Sequence, residues 1–544
     1  RSNDPDGVFP PCWRSYSEGF VRPHIINYGD HCHPHSGNCA MYFKGESNTN
    51  AYLALPPFSN AASQLVSFWM QTDHASKGNF GLGYITEGDI NFNTYVELET
   101  YANSTTMVQR STYLGRYSIP AEATHLVFRW QSDNSTYGIC IDDVSMRLVD
   151  KVFNGADNNW HNASNWTPNG MPTLNETVFI QANATITGTA EAGLIALGND
   201  VTLTLSNGGT LKTDNDLVAT VKKNITGYGV NNENTKKGYY LIANPMAETY
   251  YNDHIQLCPN LTSTNLLNGT YDLYNWDYAN ADSLEWRNYE YQNNQYDGRF
   301  NLVNGQAYLY ANHDDIVATF TGTARANNID QVMSTNFSDV QYEFNGWNLL
   351  GNPFVCDVYL NDASSAEMAF YRMNTTGDGF ITATGAIHPM EGIFVQATGI
   401  GQTFKFSRNH VPGNSRGKLN VIASEAKQSI ILDNVLIRFG EGNTLEKFSF
   451  RQDNTKVFIP MEGKDYAVVN AGEVGELPIS FKAAKNGSYT LSFDLDGINF
   501  SYLHLIDNLT GTEVNLLDNE GQAHYTFQAK TSDYASRFRL LFAT

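Results

Sequence analysis

The sequence has few charged residues, an especially small share of basic ones, and no long apolar run. Charged residues make up 17% of its 544 residues, below the roughly 25% that is usual for soluble domains. Lys and Arg number 34 against 56 Asp and Glu, so the formal net charge is -22. Such a charge repels phosphate backbones and anionic lipid surfaces, and no apolar run reaches the ~18 residues that cross a bilayer. We therefore expect no nucleic-acid binding and no membrane insertion.

Cysteine is also scarce, since six residues are too few for a scaffold built from disulfides. Cys32 and Cys39 bracket a His-rich, turn-like segment, residues 31–39 (HCHPHSGNC). Three imidazoles and two thiols so close together allow a zinc site, whereas a local Cys32–Cys39 disulfide is typical of an exported protein. With that disulfide, Cys12 and Cys140 can join the two ends of the first module. The two remaining cysteines are expected to pair or to stay buried: Cys258 and Cys356.

What the sequence does contain favours strands. Hydrophobic residues reach 41% and aromatic residues 13%, with 31 tyrosines, and aromatic side chains pack well on pleated sheets. A chain of this length is expected to form three to five modules. We predict an all-β, multidomain chain of β-sandwich and jelly-roll modules. Residues 1–150 are predicted to form the first jelly roll, because short apolar segments alternate there with turns.

The rest of the chain divides into three predicted regions. Residues 151–229 contain short strands in close succession, which indicates a short β-solenoid-like segment. Residues 230–411 contain a duplication, because residues 238–246 (GYYLIANPM) recur as residues 346–354 (GWNLLGNPF). We expect the two copies to pack as half-sandwiches around one core. Residues 412–544 alternate short strands and turns and are predicted to form a C-terminal β-sandwich.

Catalytic motifs are nearly absent. Residues 413–417 (GNSRG) fit the Gly-x-Ser-x-Gly pattern, but a nucleophile elbow needs a strand before it and a helix after it. A proline-containing linker precedes this segment, so we interpret it as a linker. Asp142 and Asp143 are consecutive, and neighbours on a strand point to opposite faces, so they cannot flank a glycosidic bond together. We expect these 544 residues to have no enzymatic activity.

One aromatic-rich stretch is a candidate ligand site. Trp276, Tyr278 and Trp286 lie in an insertion of the first copy, residues 271–304, and long loops with aromatic residues often bind ligands. Flat rings of this kind can stack on sugars, which predicts a carbohydrate-binding platform. The alternative is a hairpin whose aromatic side chains pack on their own sheet.

Two parts of the sequence resemble known families. The first module resembles the cleaved-adhesin domain of Bacteroidetes surface proteins, which is related to gingipain haemagglutinin regions and to MAM jelly rolls. This likeness is carried, in order, by residues 9–13 (FPPCW), 35–38 (HSGN), 67–69 (SFW) and 142–144 (DDV). The C-terminal region resembles the module before the sorting domain in cargo of the type IX secretion system. That likeness is carried by residues 502–511 (YLHLIDNLTG), 525–527 (YTF) and 536–540 (SRFRL).

These resemblances imply a function and a cofactor. They imply a secreted cell-surface adhesin or surface-assembly protein that binds glycans or surface proteins, with a sorting domain expected beyond residue 544. Jelly rolls of this family often hold structural calcium, and carboxylates suit that ion, so we predict a calcium site at Asp142, Asp143 and Glu18. A hydrogen-bonding role for the aspartates is the alternative. The alternative functions are an accessory region of a larger secreted hydrolase and a self-associating filament subunit.

Overall fold

The protein is almost entirely β-structure. The computed structural model describes all residues except 1–11, 28, 30–31, 45–47, 87, 134–136, 230–236, 251–269, 279–284, 290–299, 341, 362–366, 427–429 and 519–522. Its regular elements are strands and three short 3-10 helices, namely Ala61–Ser63, Leu114–Arg116 and Ala163–Asn165. The predicted all-β fold class is thus confirmed. No helix among the described residues is long and apolar enough to cross a membrane.

The chain forms two compact units. The first unit is Arg1–Ile186 with Glu191–Leu203, and the second is Thr187–Ala190 with Thr204–Thr544. The finer division into four modules at residues 150, 229 and 411 stays a prediction.

The first unit begins with a jelly-roll sandwich. Its strands are β1 (Arg14–Ser17), β2 (His24–Asn27), β3 (Cys39–Phe43), β4 (Thr49–Pro57), β5 (Gln64–Thr72), β6 (Asn79–Thr86), β7 (Val96–Tyr101), β8 (Val108–Tyr113), β9 (Ala123–Ser132) and β10 (Ile139–Leu148). They form two five-stranded sheets, in the orders β1-β4-β9-β6-β7 and β2-β3-β10-β5-β8. Alternate side chains of both sheets fill the core between them, including Phe68, Phe80, Phe128 and Trp130.

Short strands follow the jelly roll. They are β11 (Lys151–Phe153), β12 (Trp166–Thr167), β13 (Thr177–Ile180), β14 (Ala184–Ile186), β15 (Thr189–Glu191), β16 (Leu194–Leu197), β17 (Leu203–Leu205), β18 (Thr210–Lys212) and β19 (Leu217–Ile225). In the first unit β11, β13 and β16 pair in parallel, and in the second unit β17 pairs in parallel with β19. Successive parallel rungs of this kind are the pattern of a β-solenoid.

The duplication is visible as two matching sheets in the second unit. The strands are β20 (Tyr240–Ala243), β21 (Tyr271–Trp276), β22 (Trp286–Asn288), β23 (Ala307–Asn312), β24 (Ile316–Ala324), β25 (Gln331–Ser334), β26 (Trp347–Gly351), β27 (Tyr359–Asn361), β28 (Phe370–Met373), β29 (Phe380–Ala383), β30 (Gly392–Gln396) and β31 (Thr403–Ser407). The sheet β20-β23-β21-β22 corresponds to the sheet β26-β30-β28-β29. Side chains of both sheets meet in one core cluster, which includes Leu241, Leu309, Leu349 and Phe394, and side chains of the C-terminal region join the same cluster. The packing of the two copies as half-sandwiches stays a prediction.

The C-terminal strands form one large sheet. They are β32 (Lys418–Glu425), β33 (Ile431–Phe439), β34 (Leu445–Glu446), β35 (Lys456–Met461), β36 (Lys464–Ala471), β37 (Val474–Lys482), β38 (Gly487–Asp496), β39 (Tyr502–Asp507), β40 (Thr512–Asn515), β41 (Ala523–Ala529) and β42 (Phe538–Ala543). The order β40-β39-β42-β37-β35-β36-β33-β32-β38-β41, with β34 beside β36, makes a nearly closed, barrel-like sheet around a core of its own.

Candidate functional site

The two aspartates of the predicted calcium site lie at a bulge in β10. The pairing of β10 with β5 shifts between Asp142 and Ser145, and Asp143 has a φ of 46°. Both carboxylates therefore turn to the same segment: Ser36 donates from its backbone N to Asp142 Oδ2 at 3.1 Å and from its Oγ to Asp143 Oδ1 at 2.6 Å. The expectation that neighbouring side chains point to opposite faces is wrong here, because a bulge breaks the alternation along a strand.

His35 completes this hydrogen-bonded cluster. Its Nδ1 lies 2.7 Å from Asp143 Oδ2, and its ring stacks on Trp69 at 3.6 Å between centroids. Burial raises the pKa of Asp143, but the hydrogen bonds from Ser36 and His35 outweigh burial and hold that pKa below its usual value. The aspartates thus act as the hydrogen-bonding hub that the alternative interpretation describes.

The third predicted calcium ligand belongs to another part of the module. Glu18 follows β1 in the opposite sheet, and its Oε2 accepts hydrogen bonds from the backbone N and the Nδ2 of Asn50 at 3.0 and 2.9 Å. No three His, Cys, Asp or Glu side chains meet in a metal-binding arrangement within the described residues. Calcium binding by this module stays a prediction.

The cysteine pairing differs from the expected one. The disulfide joins Cys32 to Cys140, with their Cα atoms 5.7 Å apart, so the predicted pairs Cys32–Cys39 and Cys12–Cys140 are wrong. The segment after β2 folds back over its own sheet, which brings Cys32 to Cys140 on β10 instead of to its neighbour in sequence. Cys12 is exposed and Cys356 is buried, while Cys258 lies outside the described residues.

The aromatic hairpin of the second unit packs inward. Trp276 and Trp286 contact each other edge to face at 5.0 Å between centroids, and both contact Phe394. Trp276 Nε1 also donates to the backbone O of Trp347 at 2.8 Å, and Tyr278 contacts Tyr342. The hairpin therefore has the packing that the alternative interpretation describes, and ligand binding by these three residues stays a prediction.

The outer face of each jelly-roll sheet carries a covering segment. On one face, Cys32 and His35 are fixed to Cys140 and Trp69 as described above. On the other face, Phe92 is buried in a small cluster and stacks on Tyr52 at 5.3 Å between centroids. The covering segments thus occupy these places on the two sheets, and a concavity large enough for a ligand lies elsewhere in the module.

Such a concavity lies at one end of the sandwich, and we call it the end groove. Its volume is about 460 Å³, and its lining consists of Trp13, Leu55, Pro56, Pro57, Phe58, Ser59, Gln64, Val144 and Met146. None of these side chains is charged. A volume of this size lies within the range of roughly 300–1,000 Å³ of small-molecule sites, which are mostly apolar with a few polar groups.

Two irregular strands shape the end groove. The pairing of β4 with β9 shifts between Ala54 and Pro57, since proline has no N–H to donate to a sheet. On the opposite wall, the bulge in β10 turns Val144 and Met146 to the groove. Sequence reasoning missed this site, although the Pro-Pro-Phe segment that ends an apolar strand was a signal for it.

The serine of the Gly-x-Ser-x-Gly pattern has no elbow around it. Ser415 lies in irregular structure, and β32 follows it where an elbow requires a helix. The segment thus has the linker character predicted from the sequence.

Comparisons with known proteins give a partial family match and several distant structures. Residues 152–381 match a family model described as "Domain of unknown function (DUF8693)", and no curated protein matches the chain. The K1 cleaved-adhesin domain of Lys-gingipain from Porphyromonas gingivalis W83 is 16% identical, with 26% of this chain and 92% of that domain covered and a TM-score of 0.23.

Two carbohydrate-binding modules are similar at the same level. TmCBM61, solved with beta-1,4-galactotriose, is 13% identical, with 26% and 91% of the two chains covered and a TM-score of 0.20. The C-terminal family 22 carbohydrate-binding module of Clostridium thermocellum Xyn10B is 16% identical, with 25% and 86% covered and a TM-score of 0.20. These three similar structures are thus one adhesin domain and two carbohydrate-binding modules, and an enzymatically active domain of a bacteriophage CBA120 tailspike protein is similar at the same level.

Proposed function

We propose that this protein is a secreted, non-catalytic surface adhesin whose first unit binds a glycan in the end groove. The observation that carries the proposal is the lining of this groove. Trp13 and Phe58 supply aromatic carbon, and Gln64 and Ser59 supply an amide and a hydroxyl. Apolar ring faces with a few hydrogen-bonding groups suit a sugar, whose own faces are apolar and whose rim is hydroxylated.

The electrostatics of the groove favour a neutral glycan. No charged side chain among the described residues lines it, so an anionic sugar gains no ion pair from them, and the net charge of -22 repels it at long range. A neutral saccharide avoids this repulsion and still gains apolar contacts and hydrogen bonds.

The disulfide supports export. Cys32 and Cys140 are both fully buried, and structural disulfides persist in oxidising compartments outside the cytosol. This bond also fixes the covering segment on its sheet.

A glycan array tests the proposal. The full chain is screened against immobilised neutral and acidic glycans, and the variants Trp13→Ala and Phe58→Ala are then measured on each glycan that binds. We expect at least about a tenfold loss of affinity in both variants, since aromatic anchors carry a large share of binding energy. Phe20→Ala is the matched control, because Phe20 is 99% exposed in the same module and does not line the groove.

Two results would overturn the proposal. One is the absence of any glycan ligand for the wild-type chain, and the other is equal binding by the Trp13→Ala and Phe20→Ala variants. Because Trp13 and Phe58 also pack against the core, Gln64→Ala serves as a further groove variant, and thermal unfolding shows whether each variant is folded. Capture of a surface protein in place of any glycan counts as the first of these two results.

A further inference from the structure

A small cavity lies in the second unit, where β19, β20 and the start of β30 meet. Its volume is about 230 Å³, and its lining consists of Lys223, Gly238, Tyr239, Tyr240, Leu241, Met373, Asn374, Thr375, Thr376, Gly377, His388, Glu391 and Gly392. This volume is below the roughly 300 Å³ at which drug-sized sites begin, so it suits a ligand about as large as one sugar ring. We call it the Lys223 cavity.

Lys223 is the basic residue of this cavity, on β19. Its side chain is half-buried, and in the described part of the chain its ammonium has no ion-pair or hydrogen-bond partner. Burial lowers the pKa of Lys223, and Arg372 lowers it further, while Glu391 opposes both. A half-buried cation without a partner is costly, and an anionic ligand would offset that cost.

Glu391 favours the charged form of Lys223 from a distance, but its carboxylate is bonded to other groups. Arg372 Nε lies 3.0 Å from Glu391 Oε1, and the backbone N of His388 donates to Oε2 at 2.8 Å. Among the described lining residues the acidic side chain, Glu391, is thus already paired with a cation.

Other polar groups line the same cavity. Tyr240 Oη accepts a hydrogen bond from the backbone N of Thr226 at 3.0 Å, which leaves its own proton to donate. His388 also lines the cavity, and its Nδ1 lies 2.8 Å from Asp357 Oδ1. The hydroxyls of Thr375 and Thr376 add further groups that can donate and accept.

The wall opposite Lys223 is fixed by close backbone packing. Gly238 N donates to Thr376 O at 2.9 Å and Tyr239 N donates to Gly377 O at 3.1 Å. Gly377 has a φ of +68°, and a Cβ there would lie 2.3 Å from Tyr239 N. The cavity is therefore shaped by backbone contacts that leave no room for a side chain at this position.

We propose that the Lys223 cavity binds a small carboxylate-bearing sugar, a single uronic acid residue. The ammonium of Lys223 pairs with the ligand's carboxylate, and the hydroxyls of Tyr240 and the two threonines meet its ring hydroxyls. The site is independent of the end groove, since it lies in the other unit and takes an acidic ligand.

Binding of D-glucuronate to the full chain tests this, measured by calorimetry and by ligand-observed NMR. We expect D-glucuronate to bind at least about tenfold tighter than D-glucose, because a half-buried charge pair distinguishes the two. Lys223→Met should weaken D-glucuronate by at least about tenfold and leave D-glucose unchanged. Lys222→Met is the matched control, because Lys222 is the exposed neighbour on the same strand. This variant should bind D-glucuronate as the wild type does.

Three results would overturn the proposal. They are no binding of D-glucuronate by the wild type at millimolar concentration, equal binding by the Lys223→Met and Lys222→Met variants, and equal binding of N-acetylglycine and D-glucuronate. Lys223→Gln, which keeps a polar side chain, checks the result if Lys223→Met does not fold. Trp13→Ala should leave D-glucuronate binding intact, so failure of the end-groove proposal and failure of this one are separable.

Discussion

The two copies of the duplication share the same turn but differ in the residues that precede it. In each copy an apolar strand is followed by Asn-Pro, and the asparagine is fully buried. Asn244 Oδ1 accepts from the backbone N of Met246 at 2.9 Å, and Asn352 Oδ1 accepts from the backbone N of Phe354 at the same distance. Each asparagine thus closes the turn that its proline begins.

The side-chain amide nitrogens of the two asparagines also make equivalent hydrogen bonds. Asn244 Nδ2 donates to the backbone O of Glu248 and of Leu302 at 2.8 and 3.0 Å. Asn352 Nδ2 donates to the backbone O of Cys356 and of Ile387 at 2.8 and 2.9 Å. One side chain therefore ties three backbone groups together in each copy.

The residues before the turn differ. In the first copy Tyr239 and Tyr240 line the Lys223 cavity. In the second copy Trp347 stacks on Phe448 at 4.5 Å between centroids, and Asn348 is buried. Both copies thus retain the hydrogen bonds of the buried asparagine, which we call the backbone lock. The side chains before the turn differ, because Tyr239 packs against the same core cluster as Trp347 but also lines the cavity.

Breaking the lock should have the largest effect. We expect Asn244→Ala and Asn352→Ala each to lower the free energy of unfolding of the second unit by about 2–4 kcal/mol, because three buried backbone groups lose their partner. Chemical denaturation of the full chain, followed by aromatic fluorescence, measures the loss. Asn499→Ala is the control, since Asn499 is exposed. A loss in one copy without a similar loss in the other would contradict the shared lock.

A smaller effect is expected where the copies differ in backbone strain. Gly305 and Met390 occupy equivalent positions, with φ of 78° and 60°, and a left-handed backbone costs an L-residue about 1–2 kcal/mol. Met390 is fully buried, so packing of its side chain offsets that cost in the second copy.

Gly305→Ala should therefore lower the free energy of unfolding by about 1–2 kcal/mol. An alanine Cβ there would also approach Met333 Cε to 2.7 Å. Thermal unfolding against Gly399→Ala measures the difference, because a Cβ at Gly399 meets nothing within 4 Å and its φ is not left-handed. Equal melting temperatures of the two variants would show that the turn relaxes without cost.

The strands of the duplicated region were largely predictable from the sequence. The paired motifs at residues 238–246 and 346–354 predicted a duplication, and each contains a strand, β20 or β26, which pairs with β23 or β30. Local patterns of this kind fix which segments are strands, because period and turn chemistry act over a few residues. The all-β class followed from the same signals.

The sites were harder to predict from the sequence than the strands, because they depend on contacts between segments that are distant in the chain. The Cys32–Cys140 bond spans 108 residues, and sequence proximity favoured the wrong partner for Cys32. The bulge that turns both Asp142 and Asp143 to Ser36 breaks the alternation on which the prediction rested. The Lys223 cavity brings together residues between positions 223 and 392. No local sequence motif predicts that these residues meet.

The smallest expected effect concerns an ion pair present in one copy. His388 takes the place that Val303 has in the first copy, and the hydrogen bond with Asp357 raises the pKa of His388, although burial opposes this. A histidine whose folded pKa exceeds its unfolded value, about 6.5, adds stability that is complete below the unfolded pKa and disappears as the pH rises through the folded pKa. We therefore expect the second copy to lose a small part of its stability on moving from acidic to alkaline pH.

The variant His388→Val measures this pH-dependent contribution to stability, because it gives the second copy the valine that the first copy has at position 303. The His388 side chain is 60% exposed, so solvent screens the pair and the difference between wild type and variant should be below about 1 kcal/mol. It should be largest near about pH 5.5 and vanish near about pH 8.5, on either side of the usual histidine pKa. Chemical denaturation at the two pH values gives the difference, and an NMR titration of the imidazole gives the folded pKa. A difference that stays constant between the two pH values would mean that His388 acts through packing, as Val303 does in the first copy, and not through its charge.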